Sequence, residues 1–291
     1  MSNRKKIGRL GDFMNEVSEH REKWRFEDEK ELWFRGESRE YRTLLRPELY
    51  RPRQDPSNGD DLPLKPISDL LKIENDLYED FQRCAVQLSN EKKEDEDWDW
   101  DSYFLMQHHG GPTRLLDWSD GALMALHFAV RNKRNDSEDA RVYVLEPYRL
   151  VERIEALPDI EVLKQNWKPY VEKHPSYELS EDGWEYSYLP ADEDDLAELY
   201  VIAPPLVLNF PHITRRVAAQ RSRFIVLGTD PDWLAAEFRR ADSCIKEIVV
   251  DSGSRHKIRQ ELRDCGITES VIYPDLDGLG REMKQLWEDR K

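Results

Sequence analysis

Apolar residues recur along the chain at two periods, and the switches between them mark out most of the predicted elements. Leu10, Phe13, Met14 and Val17 fall at helical spacing, which predicts a helix over residues 10–24. Leu32, Trp33 and Phe34 form a short aromatic run stopped by Gly36 and predict a strand. From Ser68, a residue type that caps helices, to about Leu88 the pattern is long and amphipathic, a second helix. After Ser119, the residues Leu123, Met124, Leu126, Phe128 and Val130 leave few polar positions, so the helix predicted there is buried. Branched and aromatic runs bounded by turn signals predict strands at 140–145, 199–208, 224–227, 245–250 and 270–273. A helix over 255–265 ended by Gly266 and a last one over about 279–287 complete the set. The strands do not alternate regularly with helices, which argues against a doubly wound sheet and for the α+β class.

Between these elements, residues 52–66 carry loop chemistry at nearly every position. Residues 91–101 are acidic with Trp98 and Trp100 interleaved, the composition of a solvated face with two anchors. Residues 173–198 read as an acidic, aromatic-spiked insertion to which the sequence assigns no role. The organisation expected is an N-terminal helical extension over 1–24, one domain over 25–285 that contains both the 52–66 loop and the insertion, and a tail over 286–291.

A length of 291 residues suffices for a large core, and a net charge of −16 with 36% charged residues describes a soluble chain that repels nucleic acid as a whole. An arginine-rich segment over 42–53 is the local exception, and is where nucleic acid would bind if it were a partner. No apolar run reaches membrane-spanning length and the N-terminus lacks the apolar centre of a signal peptide, so no membrane partner is expected and the cytoplasm is the expected compartment. Cys84, Cys244 and Cys265 are odd in number and far apart, as befits reduced thiols.

The densest chemistry lies at residues 107–129, QHHGGPTRLLDWSDGALMALHFA. Thr113, Arg114, Asp117, Trp118 and Ser119 offer donors, acceptors and a stacking face beside a glycine-rich turn, which is how small-molecule pockets are lined. Arg35 and Gly36 add a guanidinium able to grip phosphate at a strand end, next to backbone that a ligand can approach. Structural readings stand beside these. Arg114 and Asp117, three apart, suit an ion pair that fixes the loop; Arg35 suits a link to Glu37; Trp118 suits a core anchor; and the amide of Gln220 suits a cap. His108 and His109 lack a third ligand at metal-site spacing, so no metal is expected.

Read together, Phe34-Arg35-Gly36, the Gln-His, Gly and Pro-Thr-Arg-Leu-Leu-Asp-Trp run over 107–118, the stretch RVAAQRSRF over 216–224 and the tail containing Gly266-Ile267-Thr268-Glu269-Ser270 and Tyr273-Pro274-Asp275 resemble the FRG-domain family. Residues 32–38 also resemble, more remotely, the first core strand of ADP-ribosyltransferases, with Arg35 where a histidine often stands. That resemblance implies a split-sheet core with flanking helices and NAD as the substrate. Arg35, Gly36, Thr113, Arg114, Trp118 and Ser119 would bind the nucleotide, and ADP-ribose would pass to an unknown protein or nucleic-acid acceptor or to water. It implies a toxin or phage-defence effector. Gln220 falls where such enzymes carry a glutamate, and glutamine supplies no charge. Either Asp117 or Glu37 then contributes the carboxylate, or the cleft belongs to a non-catalytic nucleotide- or protein-binding module.

Overall fold

Seven strands, β1 (Lys6–Ile7), β2 (Trp33–Glu37), β3 (Leu115–Ser119), β4 (Ala140–Leu145), β5 (Leu206–Leu208), β6 (Ser222–Val226) and β7 (Ile245–Val250), form one sheet in the order β1-β7-β4-β2-β3-β6-β5. The β1–β7 pair is parallel and every other pair antiparallel, so the sheet is mixed and the fold is α+β. The computed structural model describes residues 6–24, 30–88, 98–133, 136–158, 160–165, 184–191, 203–208 and 215–288. Among them the α-helices around the sheet include α1 (Leu10–Lys23), α2 (Ile67–Leu88), α3 (Trp98–His108), α4 (Ala122–Val130), α5 (Pro147–Glu155), α6 (Arg215–Gln220), α7 (Trp233–Phe238), α8 (Arg255–Asp264), α9 (Glu269–Ile272) and α10 (Leu276–Glu288).

Strand alternation divides the apolar residues between two cores, one on each face. Phe34, Val142, Val144, Ile248 and Val250 cluster with residues of α1, α4 and α8. Trp33, Tyr143, Leu145, Leu116, Trp118 and Ile225 cluster with α2, α3, α5 and α7. Ala125, Leu126, Ala129 and Val130 of α4 are fully buried, as its nearly unbroken apolar sequence requires. One substitution would break this packing: a Cβ on Gly36 would lie 1.9 Å from the Ala125 carbonyl oxygen and 2.7 Å from the Ala129 nitrogen, so α4 rests on β2 backbone to backbone.

Several expectations need correction. In the N-terminal segment, Lys6 and Ile7 pair with Val249 and Val250, and Phe13 and Val17 are buried in the core. Residues 270–273 fall in the short helix α9 and the residue after it, not in a strand. Ser68 lies inside the first turn of α2, and the last helix begins at Leu276. Residues 98–101 belong to helix α3 with Trp100 fully buried, while 91–97 lie outside the described residues. The expected strand over 199–208 is present at Leu206–Leu208; positions 199–202 lie outside the described residues, as does all of the acidic insertion except 184–191.

The Gly-Gly-Pro turn proves to be a helix stop. Gly110 sits at φ 88°, its N–H donates to the Gln107 carbonyl at 3.0 Å, and the Gly111 N–H donates to the Met106 carbonyl at 2.9 Å. This is the paired bonding that ends a helix on a left-handed glycine. It turns the chain out of α3 and into β3, where the motif's remaining residues become strand.

Candidate functional site

The site begins where β2 and β3 part. Among the described residues the two strands share one register pair, Phe34 with Ser119, although antiparallel continuation would set Gly36 beside Asp117. The ladder's place is taken by the Arg35 side chain, whose NH1 donates to the Asp117 carbonyl at 2.7 Å while Nε donates to Glu37 Oε1 at 3.2 Å. A guanidinium thus props the sheet open, and a cavity of about 390 Å³ fills the gap. That volume lies within the range of small-molecule sites.

Charge and aromatic surface alternate around its wall. Arg35, Arg51 and Arg131 contribute guanidinium groups, Glu37 and Asp117 carboxylates, and Tyr41, Phe128 and Tyr273 ring surface. Arg51 is pushed down from the usual arginine range, first by burial and then by the like charge of Arg35. Asp117 is exposed where it opens onto the cavity. The protein packed around it raises its carboxyl above the ordinary aspartate range against the opposing pull of Arg35 and of the Gln107 amide, which donates to Oδ2 at 2.9 Å. Glu37 is 4% exposed, and its Oε2 has no hydrogen-bond partner among the described residues. Such a group costs stability and so invites a functional account.

Thr113 and Arg114, expected to touch a ligand, do not line this cavity. Both are fully buried behind it. Alternation along β3 turns Arg114 into the core, where Nε donates to Glu74 Oε2 at 2.5 Å, NH2 to the Tyr188 carbonyl at 2.7 Å and the backbone N–H to Glu74 Oε1 at 2.7 Å. The Tyr103 hydroxyl also donates to Glu74. Burial opposes the arginine's charge, but Glu74 outweighs it and holds Arg114 above the usual arginine range. The partner expected for Arg114 from spacing, Asp117, faces the cleft instead. Thr113 donates to Gln107 Oε1 at 2.5 Å and so orients the amide that holds Asp117.

The opposite rim joins the tail to α4. Tyr273 meets Arg131, which also lies 5.2 Å above the Tyr273 ring and 5.6 Å above that of Phe128. Glu269, 2% exposed, lies 3.2 Å from His127 Nε2 and 3.7 Å from Arg131 Nε. Burial alone would raise this carboxyl, yet His127 and Arg131 hold it down at about 2. Ser119 does not cap α4; its hydroxyl accepts from the Gly121 N–H at 3.0 Å and donates to the Gln220 carbonyl at 2.7 Å, tying α6 to β3. Gln220 lines the cavity and its amide donates to the Ile272 carbonyl at 3.5 Å. The side chains of 215–217, Arg216 included, lie outside those described.

Of the sequence-derived site residues, the fold therefore gathers Arg35, Gly36, Asp117, Trp118, Ser119 and Gln220 around one cavity, and His108 with them. Gly36 is there chiefly as the seat of α4. Gln107, Tyr41, Arg51, Arg131 and Tyr273 were not singled out as site residues, though Gln107 stood in the quoted motif and Arg51 in the arginine-rich segment. No group of three His, Cys, Asp or Glu side chains among the described residues could hold a metal ion.

The family model of the FRG domain matches residues 30–138. An FRG domain is therefore present in this chain. No curated protein and no solved structure matches it. The matched FRG segment runs from β2 to the loop after α4 and so includes Arg35, Asp117 and the Arg114–Glu74 pair. Gln220, Glu269 and Tyr273, which complete the cavity and its rim, lie beyond it. No helix among the described residues is long and apolar enough to cross a membrane.

Proposed function

We propose that the cleft of this FRG domain binds NAD and supports cleavage of its nicotinamide–ribose bond, with ADP-ribose passing to an acceptor or to water. One observation carries the reading: three guanidiniums, two carboxylates and the rings of Tyr41, Phe128 and Tyr273 share a single cavity where a sheet splits. Arg35, Arg51 and Arg131 suit a pyrophosphate, since guanidinium binds phosphate oxygens in pairs. The rings of Tyr41, Phe128 and Tyr273 suit the flat ends of a dinucleotide. As the C1′–N bond breaks, its electron pair leaves with neutral nicotinamide and positive charge gathers on the ribose. Asp117, the carboxylate open to the cavity, is the group placed to offset that charge, and it can take the proton that an acceptor hydroxyl or water gives up. Gln220 is left to hold a ribose hydroxyl through its amide.

The second reading, a non-catalytic nucleotide- or protein-binding module, is favoured by Gln220 standing where a carboxylate is expected. Incubating the purified protein with NAD and following free nicotinamide separates the two. Release that disappears in a folded Arg35→Ala protein supports the enzyme. No release, with NAD still raising the melting temperature, supports the binding module, and no release with no thermal shift removes NAD from both. Growth arrest of bacteria expressing the protein, relieved by Arg35→Ala, is the result expected of a toxin or phage-defence effector.

A further inference from the structure

A second cavity, of about 440 Å³, shares the Tyr41 and Arg51 walls of the first. Its chemistry is set by a layered stack: the guanidiniums of Arg39 and Arg51 lie 5.2 and 5.1 Å from the centre of the Tyr41 ring. Arg42 extends the same wall with its side chain 82% exposed, touching Asp61 only at 3.5 Å. Arg39 is exposed and makes no ion pair among the described residues. The hairpin closed by the Gln54–Asp61 bridge forms the far side. Of the three acids that line it, Glu40 is held by Arg141 at 2.5 Å and Asp61 lies 3.5 Å from Arg42, and Glu138 is the third.

We infer that this groove seats single-stranded nucleic acid and presents it to the NAD cleft as the ADP-ribose acceptor. The acceptor role rests on the cleavage reading of the cleft; the binding does not. Planar guanidiniums backed by an aromatic ring offer stacking surface to bases and paired donors to phosphates, the combination that holds unpaired strands. An acidic peptide would use the charges and leave the stacked planes idle. The net charge of −16 confines such binding to this patch, where Arg39, Arg42 and Arg51 line one groove. A strand bound there lies beside Arg51, which borders both cavities.

The test is fluorescence anisotropy with a labelled single strand of about 12 nucleotides, run on the full chain. The Arg39→Glu/Arg42→Glu protein is compared with a Lys257→Glu/Lys284→Glu protein of equal charge change, both checked by melting curves. These two lysines are exposed and are not among the residues that line the groove. The groove pair is expected to weaken binding by about tenfold or more and to flatten the dependence of log Kd on log salt by roughly 1.4, two phosphate contacts' worth. The lysine pair should change Kd by less than about twofold. No binding by the unaltered protein, or equal losses in both pairs, overturns the inference. Equal displacement of the strand by a glutamate-rich peptide overturns it in favour of an acidic protein partner. Groove-dependent binding without any NAD-induced thermal shift keeps the nucleic-acid site and overturns its acceptor role.

Discussion

Replacing Glu74 with leucine should be among the most damaging single changes in this protein, because Glu74 is the only carboxylate among the described residues paired with the fully buried Arg114. The change removes the 2.5 Å ion pair, the acceptor for the Arg114 backbone N–H at 2.7 Å and the acceptor for the Tyr103 hydroxyl. Arg114 keeps the Tyr188 and Leu227 carbonyls, at 2.7 and 3.5 Å, but carries an uncompensated charge. Breaking one side of a buried pair costs about 3–5 kcal/mol, a large part of the roughly 5–15 kcal/mol that keeps a protein folded. At roughly 2 °C per kcal/mol for a chain of this size, the melting temperature should fall by about 6–10 °C. Arg114→Met should cost less, since a stranded carboxylate can be protonated whereas a stranded guanidinium cannot shed its charge. The double variant Glu74→Leu/Arg114→Met should be more stable than Glu74→Leu alone. Thermal and urea unfolding of the three proteins measures all of this. A fall of under about 2 °C for Glu74→Leu, or a double variant as unstable as the summed singles, would refute the assignment of Arg114 to the core. An Arg114 that touched ligand would show the reverse: intact stability and lost nucleotide binding.

Gly36→Ala should cost roughly 3 kcal/mol or more, visible as insolubility or a sharply lowered melting point, because the new methyl meets the Ala125 carbonyl at 1.9 Å; a melting point within about 1 °C of the parent would contradict the packing described. Asp117→Asn should cut nicotinamide release by about 100-fold with little change in melting temperature, because the side chain is exposed on the cavity; release within about threefold of the parent would remove Asp117 from the reaction. Glu269, held at about 2 against an ordinary 4.5, contributes stability that is complete above pH 4.5 and is lost as pH falls toward 2, about 3 kcal/mol over that window. Urea midpoints at pH 5, 4 and 3 should fall less steeply in Glu269→Gln, which starts lower at pH 7; parallel slopes would exclude Glu269 as the source.

Much of this was legible from pattern alone, and the misreadings share a cause. Elements with sustained periodicity, α1, α2, α4, α8, β4 and β7, fall where the sequence places them. The misplaced residues depend on partners distant in sequence. Arg114 has an acid three positions away, so a local pair looked sufficient, whereas its real partner lies 40 residues upstream. A signal existed: Leu70, Leu71, Glu74, Asn75 and Tyr78 form one buried stripe of α2, and an acid on an apolar stripe calls for a buried cation. Residues 270–273 look strand-like because Val271 and Ile272 are branched, but His127, Arg131 and Arg281 hold Glu269 against α4 and α10, and the chain turns helically there. Branched propensity is a weak prior that such tertiary contacts override. Tyr41 and Arg131 were not placed at the site because nothing local distinguishes them from other surface residues, and Arg51 was noted only within an arginine-rich segment; the opening between β2 and β3 makes them neighbours.

That opening explains why the Thr-Arg-Leu-Leu-Asp-Trp run is so dense. A strand sends successive side chains to opposite faces, and β3 uses both. Arg114, just before the strand, and the strand residues Leu116 and Trp118 face the core that contains α2 and α3, where the Glu74 pair and the aromatic cluster anchor β3. Asp117 and Ser119 face the other way, toward the cavity and α6. Arg35 then spans to the Asp117 carbonyl from a strand pinned by α4 at Gly36. Fixing β3 from behind and β2 from the opposite side lets a single guanidinium hold the two strands apart without the sheet collapsing onto its own hydrogen bonds. The buried arginine and the cleft arginine are therefore parts of one device: Arg114 holds the wall still, and Arg35 keeps the gap in which a ligand can sit.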